Sequence, residues 1–331
     1  MGGRRMQQKQ LIGTNIVTPI LGLGTGPLGL PHSNLAQAQY ADGPGFGTLA
    51  NETLGVDAVI AALDAGIRFI DTAPWYGKGS SESFIGMALN ERPDIKGQVF
   101  VATKIGHLYP HDSYDFSYDA ARRSFDQSLE RLGISMVSIL NLHDPMGVRP
   151  SFIFGKKGAY TAMLDVRNYG MTDYLGVGAD NPETASHYIA SGMCDAAIVV
   201  GSWSLISQTA NRFIIPWAER NSVGLIAATA LERGILAEGF NAGRKYQQRH
   251  FAPEVRTYVQ TLIKVCENHD VPLGAAAIQW CVRHPQFALC IPGCRSRKEV
   301  EQNVAFASFP IPDDFWKELD PLIRTWDCVV P

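Results

Sequence analysis

With 331 residues, 46% of them hydrophobic and 18% charged, the chain has enough apolar side chains for a large core without disulfide or metal staples. A formal net charge of −3 gives no basic field for nucleic acid or an anionic membrane. No apolar run approaches the ~18 residues of a membrane span.

Met1-Gly2-Gly3-Arg4-Arg5-Met6 lacks an apolar segment and does not read as a signal peptide. Residues 7–19 read as a hairpin around Gly13-Thr14-Asn15. Ile20 to Gly24 reads as a strand. Its glycines (Gly22, Gly24, Gly26, Gly29) imitate a dinucleotide fingerprint, but that motif must open directly into a helix. Here Pro27, Pro31 and a long loop follow. Residues 31–50 are rich in Gly and Pro and are expected to form an active-site wall, since so long a loop in a compact domain is usually functional.

From there helices and strands alternate. Helices are predicted over 56–65, 81–89, 118–132, 159–167, 182–191, most of 206–220 around Pro216, 255–266, 274–283 and 297–307. A tail helix is predicted over 314–324. In the third of these, Tyr118, Ala121, Phe125, Leu129 and Leu132 share one face. Strands are predicted over 68–71, 99–104, 137–143, 174–177, 196–200, 223–228 and 288–291. This alternation argues for a parallel α/β sheet. With the first strand it makes eight repeats, which close into a single-domain (β/α)8 TIM barrel over residues 1–331, with an N-terminal β-hairpin and a C-terminal tail helix. The alternative is an open doubly wound sheet.

The six cysteines contain no C-x-x-C pair and read as reduced thiols of a cytoplasmic protein. Cys290 and Cys294 lack further metal ligands nearby, and no metal is expected.

The stretch from Phe69 to Glu82 holds the chemistry. A strand ends at Asp71, breaks at Pro74 into a Gly-rich turn and leads to a helix near Ser80, with Ser80 or Ser81 as its cap. Asp71 and Tyr76 therefore lie at a strand's carboxyl end. Lys104 ends the next strand and His143 the one after. Neighbouring strands are ~4.8 Å apart, so these side chains can converge on one rim. Free tyrosine has a pKa of ~10, about three units or ~4 kcal/mol above working pH. A lysine charge at ~4 Å supplies about that much at an effective dielectric near 20. Lys104 is thus expected to bring Tyr76 into range, Asp71 to hold Lys104, and His143 to orient a substrate oxygen. Such an acid/base set serves a carbonyl–alcohol pair and needs a hydride carrier.

Asp71-Thr72-Ala73-x-x-Tyr76-Gly77, Ala102-Thr103-Lys104 and Leu142-His143-Asp144 resemble the signature of the aldo-keto reductase family, in order, over Leu21 to Phe306. The resemblance implies an NAD(P)-dependent barrel with Asp71, Tyr76, Lys104 and His143 as catalytic residues. Ile291-Pro292-Gly293-Cys294-Arg295-Ser296-Arg297 and the residues up to Asn303 are similar to the family's cofactor loop and following helix. Physically they offer backbone N–H groups at a helix N-terminus, capped by Ser296, beside several cations. The cofactor residues implied are Gly24, Thr25, Asp71, Gly178, Thr229, Leu231, Gly293, Arg295, Ser296, Arg297, Gln302 and Asn303. Glu299 stands where many NADPH-using members carry Arg, and a carboxylate repels a 2′-phosphate. NAD is therefore expected, with NADP as the alternative through Arg295, Arg297 and Lys298. The chain departs from the family's nicotinamide grip at Gly178-Ala179, Val200 and Ala228.

Asp115-Phe116-Ser117-Tyr118-Asp119, Trp203-Ser204-Leu205-Ile206-Ser207-Gln208 and Gly234-Ile235-Leu236 resemble the branch of D-threo-aldose, L-fucose and L-galactose dehydrogenases and pyridoxal 4-dehydrogenase. This implies NAD-dependent oxidation of an aldose, or another cyclic hemiacetal, at the anomeric carbon to a lactone, with Tyr76 as acid/base. Trp75, Tyr76, His107, His143 and Trp203 are the expected substrate residues, and Tyr109 lies on the same loops. The alternatives are an NADPH-dependent reductase of aldehydes or ketones and a non-catalytic nucleotide-sensing regulatory subunit. The expected partner is a small-molecule sugar or hemiacetal, with no nucleic acid or membrane, bound by a monomer or small homo-oligomer.

Overall fold

The computed structural model describes residues 6–29, 51–108, 113–240 and 253–325. The expected active-site wall at 31–50, and Tyr109, lie outside the described residues. The chain opens with an antiparallel hairpin of β1 (Gln8–Gln10) and β2 (Val17–Pro19). The barrel then begins with β3 (Leu23–Gly24), β4 (Phe69–Asp71) and β5 (Phe100–Ile105). A small antiparallel excursion, β6 (His107–Leu108) and β7 (Ser113–Tyr114), leaves the rim after β5. The barrel resumes with β8 (Val137–His143), β9 (Thr172–Ala179), β10 (Ala196–Val200), β11 (Gly224–Ala228) and β12 (Phe287–Cys290).

The eight barrel strands are parallel neighbours in chain order. Parallel bridges Leu21↔Cys290 and Gly24↔Gly293 join first to last and close the barrel. Gly22 N donates to Cys290 O at 2.7 Å and Cys290 N to Ile20 O at 2.8 Å. The seam is tight enough to require glycine: a Cβ on Gly24 would lie 2.5 Å from Ile291 O. The first strand, expected over 20–24, forms ladder only at Leu23–Gly24, and the remainder contacts β12 through these bridges.

The hairpin plugs the amino-terminal mouth. Leu11 and Ile16 pack with the inward-facing Phe69, Ile139, Ile198, Ile226 and Leu289. Lys9 Nζ donates to Val282 O (2.8 Å), His284 O (3.4 Å) and Phe287 O (2.6 Å), tying the hairpin to the entry of β12.

Helices form the outer layer: α1 (Glu52–Asp64), α2 (Ser80–Glu91), α3 (Tyr118–Leu132), α4 (Pro150–Ile153), α5 (Ala159–Asn168) and α6 (Pro182–Ala190). They continue with α7 (Ala210–Phe213), α8 (Ile215–Asn221), α9 (Ile235–Glu238), α10 (Pro253–Asn268), α11 (Leu273–Cys281), α12 (Arg297–Ser308) and α13 (Asp313–Leu319). α3 has the predicted bounds because both ends are signalled. Ser117 accepts from Ala120 N, and Gly133 ends the helix at φ 60°. α1 starts four residues before its predicted start, because Asn51 Oδ1 accepts from Leu54 N at 2.9 Å. The helix expected over 206–220 is instead α7 and α8, since residues 204 and 207 pair with each other before any helix begins. The tail helix ends at Leu319 and passes into a 3₁₀ turn. Neither Ser80 nor Ser81 caps α2: Ser80 Oγ donates to Gly77 O, Ser81 Oγ bonds Thr25 and Thr72, and the cap position is Gly79 in the left-handed region. No helix among the described residues is long and apolar enough to cross a membrane.

Replacing Lys9 with Met should leave its carbonyl acceptors without their partner and cost about 1–3 kcal/mol of stability. Urea unfolding should show that loss, with turnover at native rates because the plug lies at the mouth opposite the strands' carboxyl ends.

Candidate active site

A cavity of about 750 Å³ opens at the carboxyl ends of the strands, the end of such a barrel where side chains from several strands can meet. Asp71 closes β4 and Lys104 stands near the end of β5, and both are buried. Strand alternation points Lys104 inward and Thr103 outward to α2. Lys104 Nζ donates to both Asp71 carboxylate oxygens at 2.8 Å and to Thr72 O at 2.8 Å. It lies 4.5 Å from the centroid of the Tyr76 ring. Tyr76 rides on a kinked 3₁₀ turn in which Gly77 and Lys78 have φ of 55° and 52°. His143 closes β8, with its ring perpendicular to Tyr76 at 5.6 Å. The four residues expected as catalytic are thus brought together on three adjacent strand ends.

Their electrostatics differ from the expectation at one point. Burial pulls the Lys104 pKa down, but Asp71 and Tyr76 outweigh it and hold the ammonium above its ordinary value. Burial pushes the Asp71 carboxyl up while Lys104 opposes it. With both carboxylate oxygens accepting from Nζ, the proton belongs on the lysine. Tyr76, expected to be drawn toward neutrality by Lys104, is instead raised. Burial is the largest cause, and Asp71 and Asp180 add to it against Lys104. The lysine arrives with its counter-charge, so the tyrosine feels the pair rather than a lone cation. Tyr76 is a phenol at neutral pH. Burial, then Lys104 and His107, hold the His143 pKa well below its ordinary value, and its Nδ1 has no hydrogen-bond partner among the described residues.

One wall is aromatic. His107 stacks between Trp75 (4.5 Å) and Tyr114 (4.2 Å) and lies 5.3 Å from His143. Tyr114, which is not among the expected site residues, meets His107 as a cross-strand pair of β6 and β7; strands of two residues each are too short to leave an alternating pattern. Asp144 and Asp180 also line the cavity. Asp144, next to His143 in the chain, has a φ of 47° and a pKa raised by burial and by Asp180. Trp203 does not belong to this wall. Its ring lies flat on Phe287 at 4.9 Å, and its Nε1 donates to Cys281 O at 2.9 Å. The chain reverses at residues 204–207 and turns the indole into the core.

The cavity continues to α12. Gly24, Thr25, Asp71, Gly178, Thr229, Leu231, Gly293, Arg295, Gln302 and Asn303 all line it. Two expected cofactor residues do not. Ser296 occupies the cap position of α12 but makes no capping bond, and its Oγ is buried without a partner among the described residues. Glu299 reaches back instead to Arg295 N at 2.8 Å, one residue before the cap position, and the first turn is closed by Ser296 O, which accepts from Glu299 N at 3.1 Å and Val300 N at 3.2 Å. Arg297 leaves the cavity for α1, where its Nε lies 3.0 Å from each Asp57 carboxylate oxygen and holds that carboxyl below its usual range. Glu299 also accepts from Arg295 Nε at 2.8 Å, whereas Arg295 Nη1 is buried without a hydrogen-bond partner among the described residues. An orphaned guanidinium nitrogen beside a helix N-terminus fits an anionic cofactor group. Gly178 and Val200 line the wall without a polar side chain.

A profile of the Aldo/keto reductase family matches residues 41–324. The chain is 28% identical to pyridoxal 4-dehydrogenase of Microbacterium luteolum, over 95% of this chain and 97% of that protein. It is 30% identical to D-threo-aldose 1-dehydrogenase of a Pseudomonas species (78% and 84%). It is 26% identical to L-galactose dehydrogenase of Arabidopsis thaliana (91% and 88%). The holo form of an aldo-keto reductase from Bacillus halodurans superposes with a TM-score of 0.77 at 20% identity, over 97% and 98% of the two chains, and shares the fold.

His143 should stay neutral well below the ordinary histidine range, with its ring-proton NMR resonance static where an ordinary histidine titrates near ~6.5. The unfolded chain takes up a proton there that the folded one refuses. Stability contributed at this site is therefore intact above about pH 6.5 and declines as pH falls through it.

Proposed function

The chain belongs to the aldo/keto reductase family and is an NAD(P)-dependent oxidoreductase acting on CH–OH groups, and we propose that it oxidises an aldose, or another cyclic hemiacetal, at the anomeric carbon to a lactone with NAD, using Tyr76 as acid/base. The observation that carries this reading is Lys104 Nζ, bound to both Asp71 oxygens at 2.8 Å and set 4.5 Å from the Tyr76 ring. The bound nicotinamide supplies the acceptor for the hydride that leaves the anomeric carbon. Tyr76, once ionised to the phenolate that Lys104 stabilises, takes the proton of the anomeric hydroxyl on Oη and becomes the phenol, and Asp71 keeps Lys104 charged and in place. His143, neutral, orients the substrate oxygen. Trp75 and Tyr114, with His107 packed between them, make an aromatic wall suited to a sugar face or a pyridine ring. The choice of NAD rests on Glu299. Its carboxylate neutralises Arg295 and opposes a 2′-phosphate, while Arg297 is paired with Asp57.

One observation favours a second reading, reduction of aldehydes or ketones. Tyr76 is held as a phenol, which donates a proton without prior ionisation.

Absorbance of the reduced nicotinamide decides between them. The enzyme is mixed with NAD⁺ or NADP⁺ and L-fucose, L-galactose, D-arabinose or pyridoxal, and in reverse with NADH or NADPH and aldehydes. Reduction of NAD⁺ by one of these substrates is the expected result, with Tyr76→Phe lowering kcat by about 10²–10⁴-fold. Because the Tyr76 pKa is raised, kcat for oxidation should climb with pH through the alkaline range and reduction should decline over it. Oxidation of NADPH by aldehydes, with silence toward NAD⁺, sinks the dehydrogenase reading. Glu299→Gln should shift the NAD⁺/NADP⁺ ratio of kcat/KM toward NADP⁺ by about tenfold, the scale of ~1.4 kcal/mol.

A further inference from the structure

We infer that Glu82 and Thr103, which touch the barrel wall from outside, are positioning residues for Lys104; the inference rests on the reading that Lys104 tunes Tyr76. Glu82 and Thr103 are fully buried, at 0% exposure each. Thr103 Oγ1 donates to Glu82 Oε1 at 2.6 Å, and Arg131 Nε on α3 donates to Glu82 Oε2 at 2.8 Å. A carboxylate in that setting is weak evidence for stability, since apolar side chains of similar volume serve as well or better. Its placement gives it another use.

Thr103 and Lys104 are successive residues of β5 on opposite faces. The hold on Thr103 fixes the peptide from which the Lys104 side chain rises. The preceding helix residue works on the neighbouring strand. Ser81 Oγ lies 2.8 Å from Thr25 Oγ1 and 3.0 Å from Thr72 Oγ1, and Thr72 O accepts from Lys104 Nζ. The first turn of α2 therefore clamps the ends of β4 and β5 together, and the turn bearing Tyr76 spans the gap between Thr72 and Ser81. Coulomb coupling falls with separation, so drift of Lys104 alters the acidity of Tyr76 as well as the rate.

Thr103→Val removes the donor at constant shape, and Thr103→Ser restores it. Both are assayed as holoenzyme with saturating cofactor and the best substrate from the panel above. Thr103→Val should lower kcat about tenfold or more, leave KM within about threefold, and move the pH midpoint of kcat by about half a unit or more. Thr103→Ser should return both values to near native. Native kcat and midpoint in Thr103→Val, or equal impairment in Thr103→Ser, overturns the inference. If Thr103→Val yields no folded enzyme by circular dichroism, Glu82→Gln decides. An amide accepts more weakly than a carboxylate, so the same displacement of kcat and midpoint is expected, and native values overturn the inference. Tyr76→Phe and Lys104→Met are run in parallel. Activity surviving in both removes the catalytic reading itself, whereas loss in both beside a native Thr103→Val removes only this inference.

Discussion

Placing an ammonium group and a carboxylate together out of water costs several kcal/mol per ion before their attraction is counted. Lys104 and Asp71 meet that cost only because the geometry is tight, with two bonds of 2.8 Å to the carboxylate and a third to Thr72 O. Those bonds require two adjacent parallel strands to end in register, with Asp71 paired to Ala102 in the ladder. The barrel supplies that register and the helices outside it hold it. A loop could not keep two charges so placed, which is why the pair sits on strands while Tyr76 and Trp75 sit on the turn that follows.

The same rule governs the other end of the cavity. Cations gathered around α12 suggest a strong anion site, yet two of them have carboxylate partners, Arg295 with Glu299 and Arg297 with Asp57. What faces the cavity is a guanidinium with one orphaned nitrogen and a carboxylate beside it. Charge counted along the chain overstates the field that a ligand meets. Tyr76 shows this too: a lone lysine would acidify it, but a lysine that brings its own aspartate does less, and burial then dominates.

Elements with signals at both ends were legible in the sequence. α3 lies between a capping Ser117 and a left-handed Gly133, and β8 and β10 are apolar runs bounded by polar turns. The grouping of Asp71, Lys104 and His143 was legible because each closes or nearly closes a strand, and strand ends are easy to count; Tyr76 follows on the turn after β4. Residues whose surroundings come from distant segments were not. Trp203 points inward because of a reversal at 204–207, and Arg297 finds its partner 240 residues away. Ser296 holds the cap position without making a capping bond, while Glu299 turns to Arg295 N one residue earlier. Tyr114 reaches the site through a cross-strand pair of two-residue strands, too short to leave an alternating pattern.

The seam between β3 and β12 has a consequence for how the molecule comes into being. One flank of the cavity is Gly24 against Gly293, and the plug's Lys9 bonds Phe287, 278 residues further on. Contacts this remote in sequence are late to form. A chain emerging from the ribosome acquires most of its strands while the seam still lacks its second edge, so it exposes unpaired backbone on both sides of an open sheet. The cavity has no partial existence: a nascent or truncated chain that lacks β12 holds the tetrad residues but not the enclosure around them.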